Sequence, residues 1–254
     1  MIITIANQKG GTGKTSLSVA LCAGMTRRGL KTLLVDMDSQ SDATFTARVE
    51  GNGAYEMLVG EKTAEDAIVH SDTMGDVIPS TIMLDNLSIA LNKYRAGKEY
   101  RLKKCLDTIK DDYNYVIIDT PRSLGIELTN ALAASDSVII PISADGYSVS
   151  GMADLVNTIN SVKEYMNPSL KIEGVLLSRI DSREKTERML RERVEDIARD
   201  ALGAPLFDFS IRSAAAVAQA SLDKANIYEK SPMAPVIEDY EHLIDILENG
   251  GKNE

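Results

Sequence analysis

Short runs of β-branched residues alternate along the chain with longer stretches whose apolar positions recur every three or four residues. The short runs predict strands over residues 2–6, 32–36, 76–78, 115–119, 137–142 and 172–177, with a weaker signal at 206–209. Several read as continuous apolar segments (VIID, SVIIPI, GVLLS) rather than alternations, which suits parallel strands buried on both faces. The longer stretches predict helices over 14–28, 100–110, 126–134, 148–165, 184–202, 214–225 and 235–248. Such alternation implies an α/β fold: a twisted, mostly parallel sheet with right-handed crossovers and helices on both faces. Nothing in the sequence marks a linker or an internal repeat, so a single domain over 1–254 is expected. Ligands of such sheets bind at the carboxyl ends of the strands.

Composition narrows the picture. An apolar share of 44% and a charged share of 26% exclude a disordered or fibrous chain. No apolar run approaches the roughly 18 residues of a membrane span. The N-terminus, MIITIANQKGG, enters a glycine loop without a basic segment and does not read as a signal peptide. Cys22 and Cys105 lie far apart with no CxxC pattern, which predicts a reduced, cytoplasmic protein without a disulfide framework. Two histidines, His70 and His242, exclude a His-rich metal centre. Basic residues number 28 against 38 acidic, a formal net charge of −10, so any contact with nucleic acid must come from a local basic patch.

Directly after the first predicted strand comes Lys9-Gly10-Gly11-Thr12-Gly13-Lys14-Thr15-Ser16. A glycine loop that opens a helix turns backbone N–H groups toward an anion, and the helix N-terminus adds partial positive charge. Lys14 is placed to reach the β- and γ-phosphates of a nucleotide, and the Thr15 hydroxyl to ligate Mg²⁺. Gln8 stands where the GxxxxGK[ST] pattern has its first glycine, so the strict pattern fails. What remains is GxGKT with an additional lysine, Lys9, near the start of the loop. An incidental glycine turn is the plain alternative, and the position between a strand and a helix argues against it.

Two strands run into acidic residues. The second continues LLVD-Met37-Asp38, and the one over 115–119 ends VIID at Asp119 before TPRSLG. An apolar strand ending in Asp opposite a phosphate loop is the Walker B arrangement, in which Asp119 holds Mg²⁺ through its water shell. Asp38 could orient or polarise an attacking water. Phosphoryl transfer needs mainly positioning and charge neutralisation, which this constellation supplies. The alternative for each carboxylate is a cap on the following turn. For Asp36 the two readings stand level.

The segment KGGTGKTS closely resembles the deviant Walker A motif KGGxGKT[ST] of the ParA/MinD superfamily of ATPases, whose signature lysine would be Lys9. DMDSQSDAT resembles the switch I segment DxDPQxN of ParA/Soj-type proteins, with Ser39 in place of proline. DTPRSLG resembles their switch II segment D[CT]PPSLG, with Arg122 in place of the second proline. The likeness continues through MLVGEKTAEDAI, EYRLKKCLDTI, SDSVIIPISADGYSVSGMADLV and GVLLSRID, and is densest in the first 180 residues. It implies a P-loop NTPase fold with the phosphate loop at 9–16, switch I at 36–42 and switch II at 119–125. It implies ATP held by Gly10, Gly11, Thr12, Gly13, Lys14, Thr15 and Ser16, with Arg179 and Ile211 also at the nucleotide. It implies Mg²⁺ at Thr15, Asp38 and Asp119, and roles in slow hydrolysis for Lys9, Lys14 and Asp38. A homodimer with ATP between its subunits, non-specific DNA and a ParB-type centromere-binding partner that stimulates hydrolysis are the associations implied. The setting would be cytoplasmic and nucleoid-associated, in plasmid or chromosome segregation.

Departures from the family pattern occur late in the chain. The family's segment IPRxxxxxEAxxxGKP, which contributes to its adenine site and DNA contact, is here SIRSAAAVAQASLDKANI. Ser210-Ile211-Arg212 stands at IPR, and Gln219 near the glutamate. Arg122 is open between repelling a cationic partner, contacting a phosphate and being a solvated loop residue, the last being the plainest.

Other branches of the superfamily fit less well. The final predicted helix, PVIEDYEHLIDILE, carries five acidic residues and no Lys or Arg, so an anionic membrane would repel it. Its stripe of Val236, Ile237, Tyr240, Leu243, Ile244 and Leu247 reads as core packing, and no membrane partner is expected. Cys22 reads as core and Cys105 alone makes no cluster site. The tail has no tyrosine cluster, and no helix-turn-helix precedes the phosphate loop, so operator binding is not expected.

Two segments are candidates for DNA contact. Residues 93–104, KYRAGKEYRLKK, carry six basic residues (Lys93, Arg95, Lys98, Arg101, Lys103 and Lys104) against one acidic. Tyr94 and Tyr100 within it could equally be packing anchors. Residues 178–199 carry seven basic and six acidic residues, and Arg183 falls where ParA/Soj proteins have an arginine linked to DNA binding. On a helix there, Glu184/Arg188 and Arg191/Glu195 lie four apart and can neutralise each other, which is the solvated-face alternative. Non-specific binding needs only a few phosphate contacts per subunit and weakens steeply with salt. The expected function is therefore a Mg²⁺-ATP-dependent partition ATPase. Its rival is a nucleotide-switched scaffold that positions a protein cargo with little DNA binding. ATP-driven amide ligation is a further rival, for which the sequence offers no added substrate domain.

Overall fold

Among the described residues eight strands form one sheet: β1 (Ile2–Ile5), β2 (Thr32–Asp36), β3 (Val69–Ser71), β4 (Gly75–Ile78), β5 (Tyr115–Asp119), β6 (Ser137–Ile142), β7 (Lys171–Ile180) and β8 (Leu206–Arg212). Their order is β3-β4-β2-β5-β1-β6-β7-β8, and every neighbouring pair is parallel except β3–β4. The computed structural model describes residues 1–143, 149–180 and 184–250. The helices are α1 (Lys14–Arg27), α2 (Asp42–Ala47), α3 (Gly53–Val59), α4 (Ala64–Ala67), α5 (Leu87–Ala90), α6 (Arg101–Leu106), α7 (Ile126–Ala134), α8 (Val149–Tyr165), α9 (Glu184–Ile197), α10 (Ala215–Leu222), α11 (Ile227–Lys230) and α12 (Val236–Gly250).

Every residue of β1, β2 and β6 is buried, as suits parallel strands covered on both faces. Successive side chains still point to opposite faces. Ile3, Ile5, Leu34 and Ile117 pack with α1 and α12 in one core layer. Leu33, Val35, Val116 and Ile118 pack with α3, α6 and α7 in another. Val138, Ile140, Val175 and Leu177 meet α7, α8 and α9. Burial of each such side chain is worth about 1.5–3 kcal/mol, so these layers supply most of what opposes chain entropy.

The stripe on α12 packs as its pattern predicts: Val236, Tyr240, Leu243, Ile244 and Leu247 are buried in the layer shared with α1. Arg28, just past α1, gathers Glu241, Asp245 and Glu248 from the polar side of α12. Among the described residues no helix is long and apolar enough to cross a membrane.

Several elements differ from the sequence-based expectations. The short edge strand β3 was not expected; it pairs antiparallel with β4, and only three residues carry it. Residues 42–67 form three short helices and 87–90 a fourth, each of four to seven residues, too short to establish a period. The helix expected over 100–110 ends at Leu106, because the N–H groups of Thr108 and Ile109 bond three residues back rather than four. The strand expected over 206–209 continues to Arg212, which puts Ile211 on its carboxyl end.

Candidate functional site

The carboxyl ends of β1, β2, β5, β7 and β8 surround one cleft of about 550 Å³, lined by residues 11–16 together with Asp38, Arg122, Arg179 and Ile211. The chain leaves β1 through Asn7, whose side chain ties the loop down. Asn7 Nδ2 donates to the Pro141 carbonyl at 2.6 Å, and Asn7 Oδ1 accepts the Lys9 N–H at 2.9 Å. Gly13 adopts φ +87° and caps the N-terminus of α1. A residue with a side chain would be strained there, and its Cβ would fall 2.9 Å from Ser178 Oγ.

The structure brings the sequence-predicted phosphate and metal residues together. Lys14 is 7% exposed at the start of α1. Burial lowers its pKa from the ordinary lysine value; Asp119 and Asp38 act in the opposite direction, and Arg122 adds to the depression. Asp119 is fully buried at the end of β5, and its Oδ1 accepts the Ser18 hydroxyl at 2.9 Å. Its Oδ2 is buried without a hydrogen-bond partner. Asp38 is half-buried, lines the same cleft, and its Oδ1 accepts the Gln40 N–H at 3.0 Å, so it also caps its own turn. Among the described residues no group of three or more His, Cys, Asp or Glu side chains gathers around a metal position. A hydroxyl, an unsatisfied buried carboxylate oxygen and a second carboxylate fit Mg²⁺, which takes few protein ligands and completes its shell with water and phosphate.

Asp36 resolves toward the structural reading. It lies beside Asp119 in register and is fully buried. It accepts the Asp38 N–H at 3.0 Å, the Thr44 N–H at 2.9 Å and the Thr44 hydroxyl at 2.7 Å. Burial and then the neighbouring Asp119 charge raise its pKa, against the pull of those bonds. Asp119 is raised by burial too, opposed by the Thr15 and Ser18 hydroxyls and Lys14. Asp36 thus fastens α2, and with it residues 36–42, to the sheet.

Arg179 has φ +57° and donates to the Gly11 carbonyl at 2.6 Å, bracing the phosphate loop from the β7 side. Ile211 is 2% exposed and serves both the core and the wall of the cleft. Arg212 pairs with Asp239 through Nε at 2.8 Å and Nη2 at 2.6 Å, fixing the end of β8 on α12. Lys9 is exposed at the mouth of the loop, and its carbonyl accepts the Thr12 hydroxyl.

A second cavity of about 620 Å³ adjoins the first and shares Thr15, Ser16, Asp42, Val217, Ala218, Ser221 and Tyr240 with it. Val19, Phe45, Leu222 and Ile227 make this half more apolar. Phe45 and Val217 were not singled out from the sequence. The only signal for them was the run of small apolar residues in α10 and one aromatic in a six-residue helix.

The basic segment lies elsewhere, around α6 against α3 and α7. Lys93, Arg95, Lys103 and Lys104 are exposed, whereas Lys98 and Arg101 are half-buried. Tyr94 is a packing anchor whose hydroxyl donates to the Val59 carbonyl at 2.9 Å. Arg101 donates to the Leu58 carbonyl at 2.8 Å and stacks 4.3 Å from the Tyr94 ring centre. Buried Asn130 of α7 holds the segment, accepting the Leu102 N–H and donating to the Lys98 carbonyl, both at 3.0 Å. On α9, Arg188 pairs with Glu192 at 3.1 Å; the side chain of Glu184 lies outside those described. Arg183 lies outside the described residues.

Comparison with known proteins gives the family. The model of a family described as "AAA domain" matches residues 1–172. The chain is 41% identical over 204 residues to the sporulation initiation inhibitor protein Soj of Bacillus subtilis, covering 78% of this chain and 80% of that one. Among solved structures it is similar to a cobyrinic acid a,c-diamide synthase from Mycobacterium smegmatis with bound ATP analog and magnesium. That match has a TM-score of 0.87 and 30% identity over 99% of this chain and 95% of the other. It is similar also to a plasmid partition protein from Borrelia burgdorferi bound to AMPPNP, with a TM-score of 0.80 and 27% identity over 98% of each chain. With a phosphate loop, two acidic strand ends and relatives of this kind, the chain belongs to the ParA/MinD superfamily of P-loop ATPases, on its Soj-like, partition-type branch.

Proposed function

We propose that the protein is a Mg²⁺-ATP-dependent partition ATPase. The observation that carries this reading is the convergence of Lys14, Thr15 and Asp38 on one cleft, with Asp119 buried behind Lys14 and Thr15 and its Oδ2 unsatisfied. The N–H groups of residues 10–16 and the α1 N-terminus bind the phosphates, and Lys14 neutralises their charge. Thr15 and Asp119, with Asp38 nearby, would hold Mg²⁺, which draws charge off the phosphoryl oxygens when bound. Asp38 orients the attacking water. Arg179 and Ile211 border the nucleotide, whose base fits the apolar cavity between α1 and α10.

Two facing subunits enclose the nucleotides, and Lys9, exposed at the loop mouth, reaches into the partner's site. The dimer binds DNA without sequence preference through exposed Lys93, Arg95, Lys103 and Lys104, supported by Lys98, Arg101 and Arg183. A ParB-type partner stimulates slow hydrolysis and releases the dimer from the nucleoid. Lys9→Ala tests the dimer: sedimentation should show loss of the ATP-dependent dimer and of turnover while nucleotide affinity is kept. Normal ATP-dependent dimerisation in this variant would refute the trans role.

The net charge of −10 favours the second reading, a nucleotide-switched scaffold with little DNA binding. Retention on DNA with ATP at low and moderate salt separates the two. The name of the Mycobacterium smegmatis neighbour points to amide synthesis, and ATP turnover that depends on an added carboxylic acid and amine donor would favour that chemistry instead.

A further inference from the structure

Arg122 replaces a proline of the switch II pattern, and the loop after β5 brings its side chain back over the phosphate loop. A Cβ built on Gly10 would fall 2.7 Å from Arg122 Cζ and Nη1 and 2.8 Å from Nε. The guanidinium therefore rests on a loop residue that has no side chain to displace it. It lines the phosphate cleft with Lys14, and its charge depresses the Lys14 pKa. Among the described residues no hydrogen bond or ion pair claims it; its charged neighbours are Lys14 and, on the acidic side, Asp42.

The other arginines at this end of the sheet are engaged. Arg179 is bonded to the Gly11 carbonyl and Arg212 to Asp239. Arg122 alone among these three directs a planar, five-donor cation into the cleft with its donors unused. Two cations side by side over a phosphate loop repel each other until an anion lies between them, and a guanidinium fork matches phosphate oxygens in pairs.

We propose that Arg122 is a charge-stabilising residue supplied in cis, which binds the terminal phosphate of the nucleotide in its own subunit. Because it sits in residues 119–125, it also couples that loop to the presence of the terminal phosphate. The inference rests on the Mg²⁺-ATP reading of the site. In hydrolysis the attacking water oxygen bonds to the γ-phosphorus and the bond to the β–γ bridging oxygen breaks. The bridging electron pair stays on ADP, and both water protons leave on inorganic phosphate as H₂PO₄⁻, which then equilibrates one of them with solvent. Charge grows on the oxygens that Arg122 faces, where a fixed cation acts most strongly.

The test compares the full chain with Arg122→Ala and Arg122→Lys. Calorimetry measures affinity for Mg²⁺-AMPPNP and Mg²⁺-ADP, and phosphate release measures turnover. Loss of a charged hydrogen-bond partner predicts that Arg122→Ala weakens AMPPNP binding at least about tenfold, with ADP binding changed less than about twofold. Turnover should fall about 10²-fold or more. Arg122→Lys keeps the charge without the fork and should fall between. The residue is exposed, so both variants should melt at the wild-type temperature. Unchanged affinities, or equal weakening for both nucleotides, would overturn the proposal. A wild-type chain that binds neither nucleotide would overturn the Mg²⁺-ATP reading itself, so the two failures are distinct.

Discussion

The cations of the phosphate cleft and those of residues 93–104 are the same residue types in opposite surroundings. Lys14 is 7% exposed and faces Asp119 and Asp38 from within the cleft. The side chain of Lys103 is 46% exposed and pairs loosely with Asp107 at 3.6 Å. Charge interactions strengthen several-fold where water is excluded, and they are screened by salt at the surface. A cation in the cleft therefore acts singly and decisively, whereas those on the surface can act only by number.

Lys14→Ala should show the largest effect. Removing one member of a buried charge pair costs about 2–5 kcal/mol, so ATP affinity should fall by about two orders of magnitude or more. Equilibrium binding of a fluorescent ATP analogue checks it, and near-normal affinity would erase the contrast between the two regions. Asp38→Ala should come next and fall on a different quantity. On the proposed reading its main role is to orient the attacking water while Thr15 and Asp119 keep the metal, so affinity should fall by far less than for Lys14→Ala while kcat drops about 10²–10⁴-fold. An unchanged kcat would leave Asp38 with only its bond to the Gln40 N–H.

The parts legible in the sequence are those with a strong local rule. Strands such as SVIIPI had to be buried on both faces, and KGGTGKTS had to form a glycine loop opening α1. The helices α2 to α5 escaped because four to seven residues span at most two turns. For Asp36 spacing left the two readings level, since what decides it is Thr44, eight residues on, which bonds to its carboxylate. The orientation of Arg122 depends on the path of an irregular loop and on the bare backbone of Gly10, which no periodicity encodes. Within 93–104, six cations looked equivalent by composition, and only tertiary contacts divide them.

That division gives the smallest expected effect and the sharpest control. Arg101 is tied to the Leu58 carbonyl and stacked on Tyr94, whereas Lys103 and Lys104 reach into solvent. Arg101→Ala leaves a backbone carbonyl without its donor and removes a cation–π contact, which together should lower stability by about 1–2 kcal/mol. It should lower the melting temperature with little change in how DNA retention depends on salt. Lys103→Glu with Lys104→Glu should do the reverse. Exposed substitutions of this kind shift stability by about 0.5 kcal/mol or less. Each lost phosphate contact, by contrast, should lower the salt slope of DNA retention by about one. Thermal melts and DNA retention at several salt concentrations read both quantities on the same variants. If Arg101→Ala flattens the salt slope at an unchanged melting temperature, Arg101 belongs with the DNA-facing cations. If the double lysine variant retains DNA as the parent does, the segment is a solvated surface and the scaffold reading gains.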